Sequence, residues 1–230
     1  MNNPIRILST KKLLFNQKQF LLNVGFCFSE LDFIDIKLLD FSLPETHGKT
    51  LIFTSQNAVK SVLNHSDNIL LKSENVLCVG IKTKKLLEEN GFHVEVCTDY
   101  VADLAEVITK HYSDGNFIFF CGNLRHDTLP DTFKNKRMSF EEICVYETIL
   151  TPHRITDKAD GILFFSPSGI ESYLQKNDIT DEVCFCIGST TAKALEDITK
   201  NTIITEKPSV ENVLYEVKEY FLKRNVKHKI

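Results

Sequence analysis

The sequence predicts an α/β protein with two similar parallel-sheet domains joined by a two-stranded connector, and three observations lead there. Short, continuously apolar runs such as Val76–Val79, Phe117–Phe120 and Ile162–Phe165 read as strands covered on both faces. The segments after them switch to a helical period, clearest at Leu104, Val107, Ile108 and His111 and at Val213, Val217, Tyr220 and Phe221. The third observation is an internal repeat. "LIFTSQNAV" at 51–59 matches "ILFFSPSGI" at 162–170, and "VGIKTKKLLEE" at 79–89 matches "IGSTTAKALED" at 187–197.

Taken along the chain, the first run is "IRILSTKK" at 5–12, an apolar strand ending in small polar residues, and it pairs more loosely with "FIFFCGNLRH" at 117–126. "FIDIKLLDF" at 33–41 is extended in pattern but opens no strand–helix unit, which makes it a candidate connector. The apolar starts of "LIFTSQNAV" and "VLCVGIKTKK" each run into a helical segment, and Gly91 after "KKLLEEN" suits a helix C-terminus. Beyond Phe117–Phe120, "EEICVYETIL" at 141–150 is the second extended stretch and the second candidate connector. The strand, loop and helix grammar then returns at 162–170 and 187–197. Ser166 follows Ser55 by 111 residues and Gly188 follows Gly80 by 108, so the chain reads as three strand–helix units and then the same three again. That pattern alone allows either two contiguous halves or an interleaved pair of domains. Ser and Thr at the strand–helix junctions suit N-capping.

Composition narrows the function. The chain has 230 residues, 43% of them hydrophobic and 25% charged, as in an ordinary globular protein. No apolar run approaches the roughly 20 residues of a membrane span, and Met1–Ile7 lacks a signal-peptide core, so a cytoplasmic protein without a membrane partner is expected. Seven cysteines form no CxxC pair, and Cys78, Cys121, Cys144, Cys184 and Cys186 lie inside apolar runs, which predicts reduced core thiols. The seven histidines show no metal-ligand spacing, so no metal is expected. A net charge of −4 argues against nucleic acid as the main partner. The one basic cluster, Lys223, Arg224, Lys227 and Lys229, reads as a solvated C-terminus, and with no long apolar stripe a monomer is expected.

In open α/β sheets ligands bind beyond the C-terminal ends of strands, where helix N-termini present free N–H groups. The loops at those positions are Ser9-Thr10-Lys11, Thr54 to Asn57, Gly80 to Thr83, Cys121-Gly122-Asn123, Ser166 to Gly169 and Gly188 to Thr191. They hold no carboxylate pair, no Ser/His/Asp order, no P-loop and no GxGxxG, which leaves hydrolysis, phosphoryl transfer and dinucleotide redox chemistry without support. What remains is a surface of N–H groups and hydroxyls near Lys11, Lys82, Lys84, Arg125 and Lys193, suited to a ligand with several anionic groups. For any single loop, helix capping explains Ser and Thr equally well. Six loops in two matched sets point to a cleft shared by two domains.

"LIFTSQNAV", "VLCVGIKTKKLLEENGF", "FFCGNLRHDTLP", "VYETIL", "LFFSPSGIESYL" and "CIGSTTAKALED", in this order, resemble the uroporphyrinogen-III synthase family from about residue 5 to residue 220. The resemblance implies a cofactor-independent lyase of haem biosynthesis, which cyclises hydroxymethylbilane with inversion of ring D. It implies two flavodoxin-like domains, the first at 1–38 and 150–230, the second at 41–146, with connectors near 33–41 and 141–150. It also accounts for the missing acid–base machinery. The pyrrole's own electrons expel the ring A hydroxyl, ring D attacks through its substituted carbon, and the spiro intermediate fragments and recloses inverted. The enzyme then holds a flexible, carboxylate-rich chain in one fold.

By the same resemblance Tyr146 in "VYET" is the catalytic candidate, its phenol placed to donate a hydrogen bond to the departing hydroxyl. The alternative is a tyrosine that packs a connector strand with its hydroxyl in water. The substrate-binding candidates are Thr10, Lys11, Ser55, Asn57, Thr83, Gly122, Asn123, Ser166, Ser168, Gly169, Thr190 and Thr191. Thr10-Lys11-Lys12 stands where bacterial members often have "TRP", and Thr83-Lys84 where they often have "TA". A lysine in place of arginine loses bidentate carboxylate binding, which Lys84 could restore. The rival reading is a two-domain binding or regulatory module for an anionic small molecule, without catalysis.

Overall fold

The computed structural model describes residues 4–227. In chain order the elements of the first stretch are β1 (Arg6–Ser9), α1 (Phe15–Asn23), β2 (Cys27–Glu30) and β3 (Ile34–Leu38). There follow β4 (Thr50–Phe53), α2 (Gln56–Leu63), β5 (Asn75–Val79), α3 (Ile81–Glu89), β6 (His93–Thr98) and α4 (Val101–His111). The next stretch holds β7 (Asn116–Gly122), α5 (Thr128–Lys136) and β8 (Ser139–Leu150). The last holds β9 (Gly161–Phe164), α6 (Pro167–Leu174), β10 (Val183–Cys186), α7 (Ser189–Lys193), β11 (Thr202–Ile204) and α8 (Val210–Lys227). No helix among the described residues is long and apolar enough to cross a membrane.

Two compact units result, one of Met1–Asp35 with Ile149–Ile230 and one of Ile36–Thr148. The first contains a sheet in the order β11-β10-β9-β1-β2, and the second is built on the order β3-β8-β7-β4-β5-β6. All four pairings of the first sheet are parallel, as are those that link β8, β7, β4, β5 and β6. Apart from β3, the two orders correspond strand for strand: β11 to β6, β10 to β5, β9 to β4, β1 to β7 and β2 to β8. The neighbours β3 and β8 carry the chain between the units.

Each sheet is covered on both faces, which is why its central strands are apolar at every position. In the first, Ile7, Leu163 and Phe185 pack with Val217 and Phe221 of α8, while Leu8, Ile162 and Phe164 pack with Ile170 of α6 and Leu195. In the second, Phe53, Val76 and Phe120 face Val59 and Val62 of α2, while Ile52, Leu77 and Phe119 face Leu104 and Ile108 of α4 and Phe133 of α5. Burial of each such side chain contributes about 1.5–3 kcal/mol.

Gly91 closes α3 as expected, with a φ of +84° that a residue bearing a Cβ rarely adopts. The thiols need one correction. All seven are free and Cys78, Cys121, Cys184 and Cys186 are buried, but Cys144 is exposed, like Glu142 on the same side of β8. Of the basic tail, Lys223 pairs with Glu219 at 3.2 Å, whereas the side chains of Arg224, Lys227 and Lys229 lie outside the described residues.

Candidate functional site

At the C-terminal edge of the first sheet, the loops after β1 and β9 meet. The Thr10 hydroxyl donates to the Leu163 carbonyl at 2.7 Å and the Ser9 hydroxyl to the Lys11 carbonyl at 2.6 Å. These hydroxyls were expected to cap a helix, but α1 starts only at Phe15, and they pin the loop instead. Ser166 does cap its helix: its Oγ accepts from the Gly169 N–H at 3.0 Å and lies 3.0 Å from the Ser168 hydroxyl. The fit at Gly169 is close, since a Cβ there would stand 3.3 Å from Ser166 Oγ and 3.7 Å from Thr10 Oγ1. Lys11 is exposed, with its Nζ 5.5 Å above the Phe165 ring. Beyond β10, Gly188 leads into α7, with Thr190 exposed and Thr191 buried.

The corresponding edge of the second sheet gathers Ser55, Asn57, Gly122 and Tyr146. Ser55 caps α2, its Oγ accepting from the Asn57 N–H at 3.0 Å. Along β7 and β8, Cys121 pairs with Cys144 but Gly122 pairs with Tyr146, so β8 bulges by one residue at Val145. Val145 and Tyr146 therefore both turn toward the α2 side of the sheet. The bulge lays the Tyr146 ring directly on residue 122: a Cβ there would be 2.3 Å from Tyr146 Cζ, so only glycine fits. Asn123 is tied to β8, its side chain accepting from the Thr148 N–H at 2.8 Å and donating to the Thr148 carbonyl at 3.4 Å. Thr83 is buried in the first turn of α3, behind Gly80.

Burial pushes the half-buried Tyr146 phenol above its ordinary value; a hydrogen bond with the Ser55 hydroxyl partly offsets this. The group is a neutral phenol near neutral pH. Among the expected cations the structure separates two classes. Arg125 grips Glu142 through two bonds of 2.9 and 3.0 Å and also pairs with Asp127, so it is not available to a ligand. Lys84 pairs with Glu88 at 3.6 Å. Lys11 forms no ion pair among the described residues.

Two loops at these edges went unnoticed in the sequence. After β11, the Thr205 hydroxyl lies 2.8 and 3.0 Å from the carbonyls of Ile187 and Lys207, its one proton shared between them, and Ser209 caps α8 by accepting from Asn212 N–H at 3.1 Å. After β6, Tyr100 stands 58% exposed. The Pro208-Ser209 step ahead of an amphipathic stretch was the available signal for the first. A cavity of about 250 Å³ lies elsewhere, lined by Arg6 and Cys27 at the N-terminal starts of β1 and β2.

Residues 31–214 match the family model described as uroporphyrinogen-III synthase HemD. The crystal structure of the uroporphyrinogen-III synthetase of Helicobacter pylori is similar in fold, with a TM-score of 0.71 at 19% identity over 94% of this chain and 99% of that one. A mutant uroporphyrinogen III synthase of the extremely thermophilic bacterium Thermus thermophilus gives a TM-score of 0.69 at 13% identity over 96% and 99%. With the family model spanning most of the chain and the architecture shared with two of its solved members, the chain belongs to the uroporphyrinogen-III synthase family.

Proposed function

We propose that Tyr146 is the proton donor in the cyclisation of hydroxymethylbilane to uroporphyrinogen III, the cofactor-independent lyase reaction of this family. The observation that carries this is its seat: an aromatic ring resting on the bare backbone of Gly122, turned toward the α2 side of the sheet by the bulge at Val145. A half-buried phenol that stays neutral holds its proton ready for donation to a departing hydroxyl.

The pyrrole nitrogen's electrons break the bond between the ring A methylene and its hydroxyl, which leaves as water with the Tyr146 proton. Ring D attacks the resulting azafulvene through its substituted carbon to give a spiro intermediate. Fragmentation and reclosure invert ring D, and the proton lost on rearomatisation returns to the phenolate. One molecule of water is released overall.

Positioning falls to the loops. The exposed Lys11 supplies a cation for a carboxylate arm, and Ser168, Thr190 and the α2 and α6 starts supply hydroxyls and N–H groups. Thr10, Asn57, Thr83, Asn123, Ser166, Gly169 and Thr191 shape the same loops. Ile81, Tyr100 and Leu124, which are 68, 58 and 53% exposed after β5, β6 and β7, offer apolar surface to pyrrole faces. Seven free thiols suit a reducing compartment and support a cytoplasmic location.

The test is to give the purified protein freshly made hydroxymethylbilane and to separate the oxidised products by isomer. Without enzyme the bilane closes mainly to isomer I, so a dominant isomer III is expected. Isomer I alone from folded protein would overturn the assignment. Tyr146→Phe should lower turnover by about 10²-fold or more with the fold intact, and full retained activity would remove the role given to Tyr146.

A further inference from the structure

We propose that Asn123 is a positioning residue for Tyr146: its side chain locks β8 in the bulged register that lays the ring on Gly122. The inference deepens the role assigned to Tyr146 and rests on it.

The ladder between β7 and β8 runs residue for residue, from Asn116 opposite Ser139 to Cys121 opposite Cys144, then skips Val145 and ends with Gly122 opposite Tyr146. Without the skip, Gly122 would face Val145, and Tyr146 would alternate to the Cys144 side of the strand, away from α2. The bulged register therefore has a competitor one residue away, and a bulge disrupts the ladder where it forms. Beyond the end of β7, Asn123 distinguishes the two. Its N–H donates to the Tyr146 carbonyl at 3.2 Å, its Oδ1 accepts from the Thr148 N–H at 2.8 Å, and its Nδ2 donates more weakly to the Thr148 carbonyl at 3.4 Å. The amide side chain thus stands in for a further residue of β7 and continues the ladder to Thr148. In the unbulged register Thr148 would lie one residue, about 3.3 Å, further along, out of reach of both side-chain bonds.

The turn that carries Asn123 is itself fastened. The Arg125 N–H donates to the Gly122 carbonyl at 3.2 Å and closes the turn, and the Arg125 guanidinium holds Glu142 on β8 at 2.9 and 3.0 Å. One short loop therefore grips β8 on both sides of the bulge, at Glu142 ahead of it and at Thr148 beyond it. Within the bulge the Val145 carbonyl is held by the Ser61 hydroxyl of α2 and by the Leu39 N–H. Tyr146 sits between these anchors, where Gly122 leaves room for its ring. The Asn123 side chain bonds backbone two residues beyond Tyr146, so it acts on the phenol by fixing the strand that carries it.

Three measurements on the full chain test this. Asn123→Ala deletes both side-chain bonds and keeps the backbone one. It should lower kcat about tenfold, leave KM within about twofold, and shift or broaden the Tyr146 signal in NMR of Cζ-labelled tyrosine, the signal being identified by its loss in Tyr146→Phe. Asn123→Asp keeps an acceptor for the Thr148 N–H, the shorter of the two bonds, and should return kcat to within about threefold of wild type and restore the signal. In the Tyr146→Phe background, Asn123→Ala should cost no further turnover. A Tyr146 signal unmoved by Asn123→Ala, an unchanged kcat with or without a rise in KM, or an equal loss of turnover in the Tyr146→Phe background would overturn the lock. Full activity of Tyr146→Phe alone would instead defeat the proton-donor role, while the Tyr146 signal still decides whether Asn123 holds the register.

Discussion

Gly122→Ala is the sharpest perturbation of this arrangement. A methyl at residue 122 would stand 2.3 Å from Cζ, 2.5 Å from Cε2 and 2.8 Å from Cε1 of Tyr146. Carbon atoms in contact sit roughly 3.5–4.0 Å apart, so the ring must retreat by about 1 Å or more. The backbone of residue 122 is not in the left-handed region that favours glycine, so the whole effect comes from the clash. Ring displacement moves the phenol oxygen from the position that the proposed proton transfer requires. A misplacement of about 1 Å costs on the order of 10²-fold in rate, or about 2.7 kcal/mol of transition-state stabilisation. Overpacking should also lower stability by about 2 kcal/mol. The assay is the initial rate of isomer III formation, with thermal unfolding to show that the protein remains folded and the yield of isomer I as the escape product. Turnover within about twofold of wild type in Gly122→Ala would refute both the seat and the role built on it.

The cations give a contrasting pair. Lys11→Ala should raise KM about fivefold, near 1 kcal/mol, with little change in stability, because Lys11 is exposed and its Nζ rests only over the Phe165 ring. Arg125→Ala should lower stability by about 1 kcal/mol and leave KM unchanged, because its guanidinium is already committed to Glu142 and Asp127. Substrate titrations and urea unfolding of the two variants would expose a reversal. The core thiols predict an alkaline weakness: burial pushes Cys121, Cys184 and Cys186 from 9.0 up to about 12. A group whose folded pKa is raised releases its proton more readily when unfolded, so its stabilisation is complete below the unfolded value and is lost as pH rises through the folded one. The urea midpoint should fall between pH 9 and 12, and a flat midpoint across that window would contradict the burial of these thiols.

Much of the fold was legible because its signals are local. A strand buried on both faces must be apolar at every position, so β4, β7 and β9 announce themselves, and the 3.6 period of α4 and α8 follows from their one buried stripe. The caps at Ser55 and Ser166 were equally readable, since each bonds an N–H two or three residues on. The loop after β11 was missed because that strand has only three residues, two of them partly exposed and one exposed, and so lacks the apolar run that marked the others. Cys144 was misjudged because the pattern of β8 shows an apolar stretch without showing that one side of it is open at this level.

By itself the sequence determined the alternation of strands and helices, the duplicated grammar, the hydroxyl- and glycine-rich loops, and the motifs that resemble the synthase family. Each element and loop signal depends on residues within one turn or one strand of each other, and the repeat and the family motifs are strings of such local signals. Only the tertiary structure decided which strands are neighbours: Ser9 lies beside Leu163 and Phe53 beside Phe120, pairings between remote segments that leave no mark in local periodicity. It alone decided that β8 bulges at Val145, that Tyr146 settles on Gly122, and that Arg125 is spent on Glu142. A ladder register and an ion pair are properties of two segments at once, and neither segment records them alone.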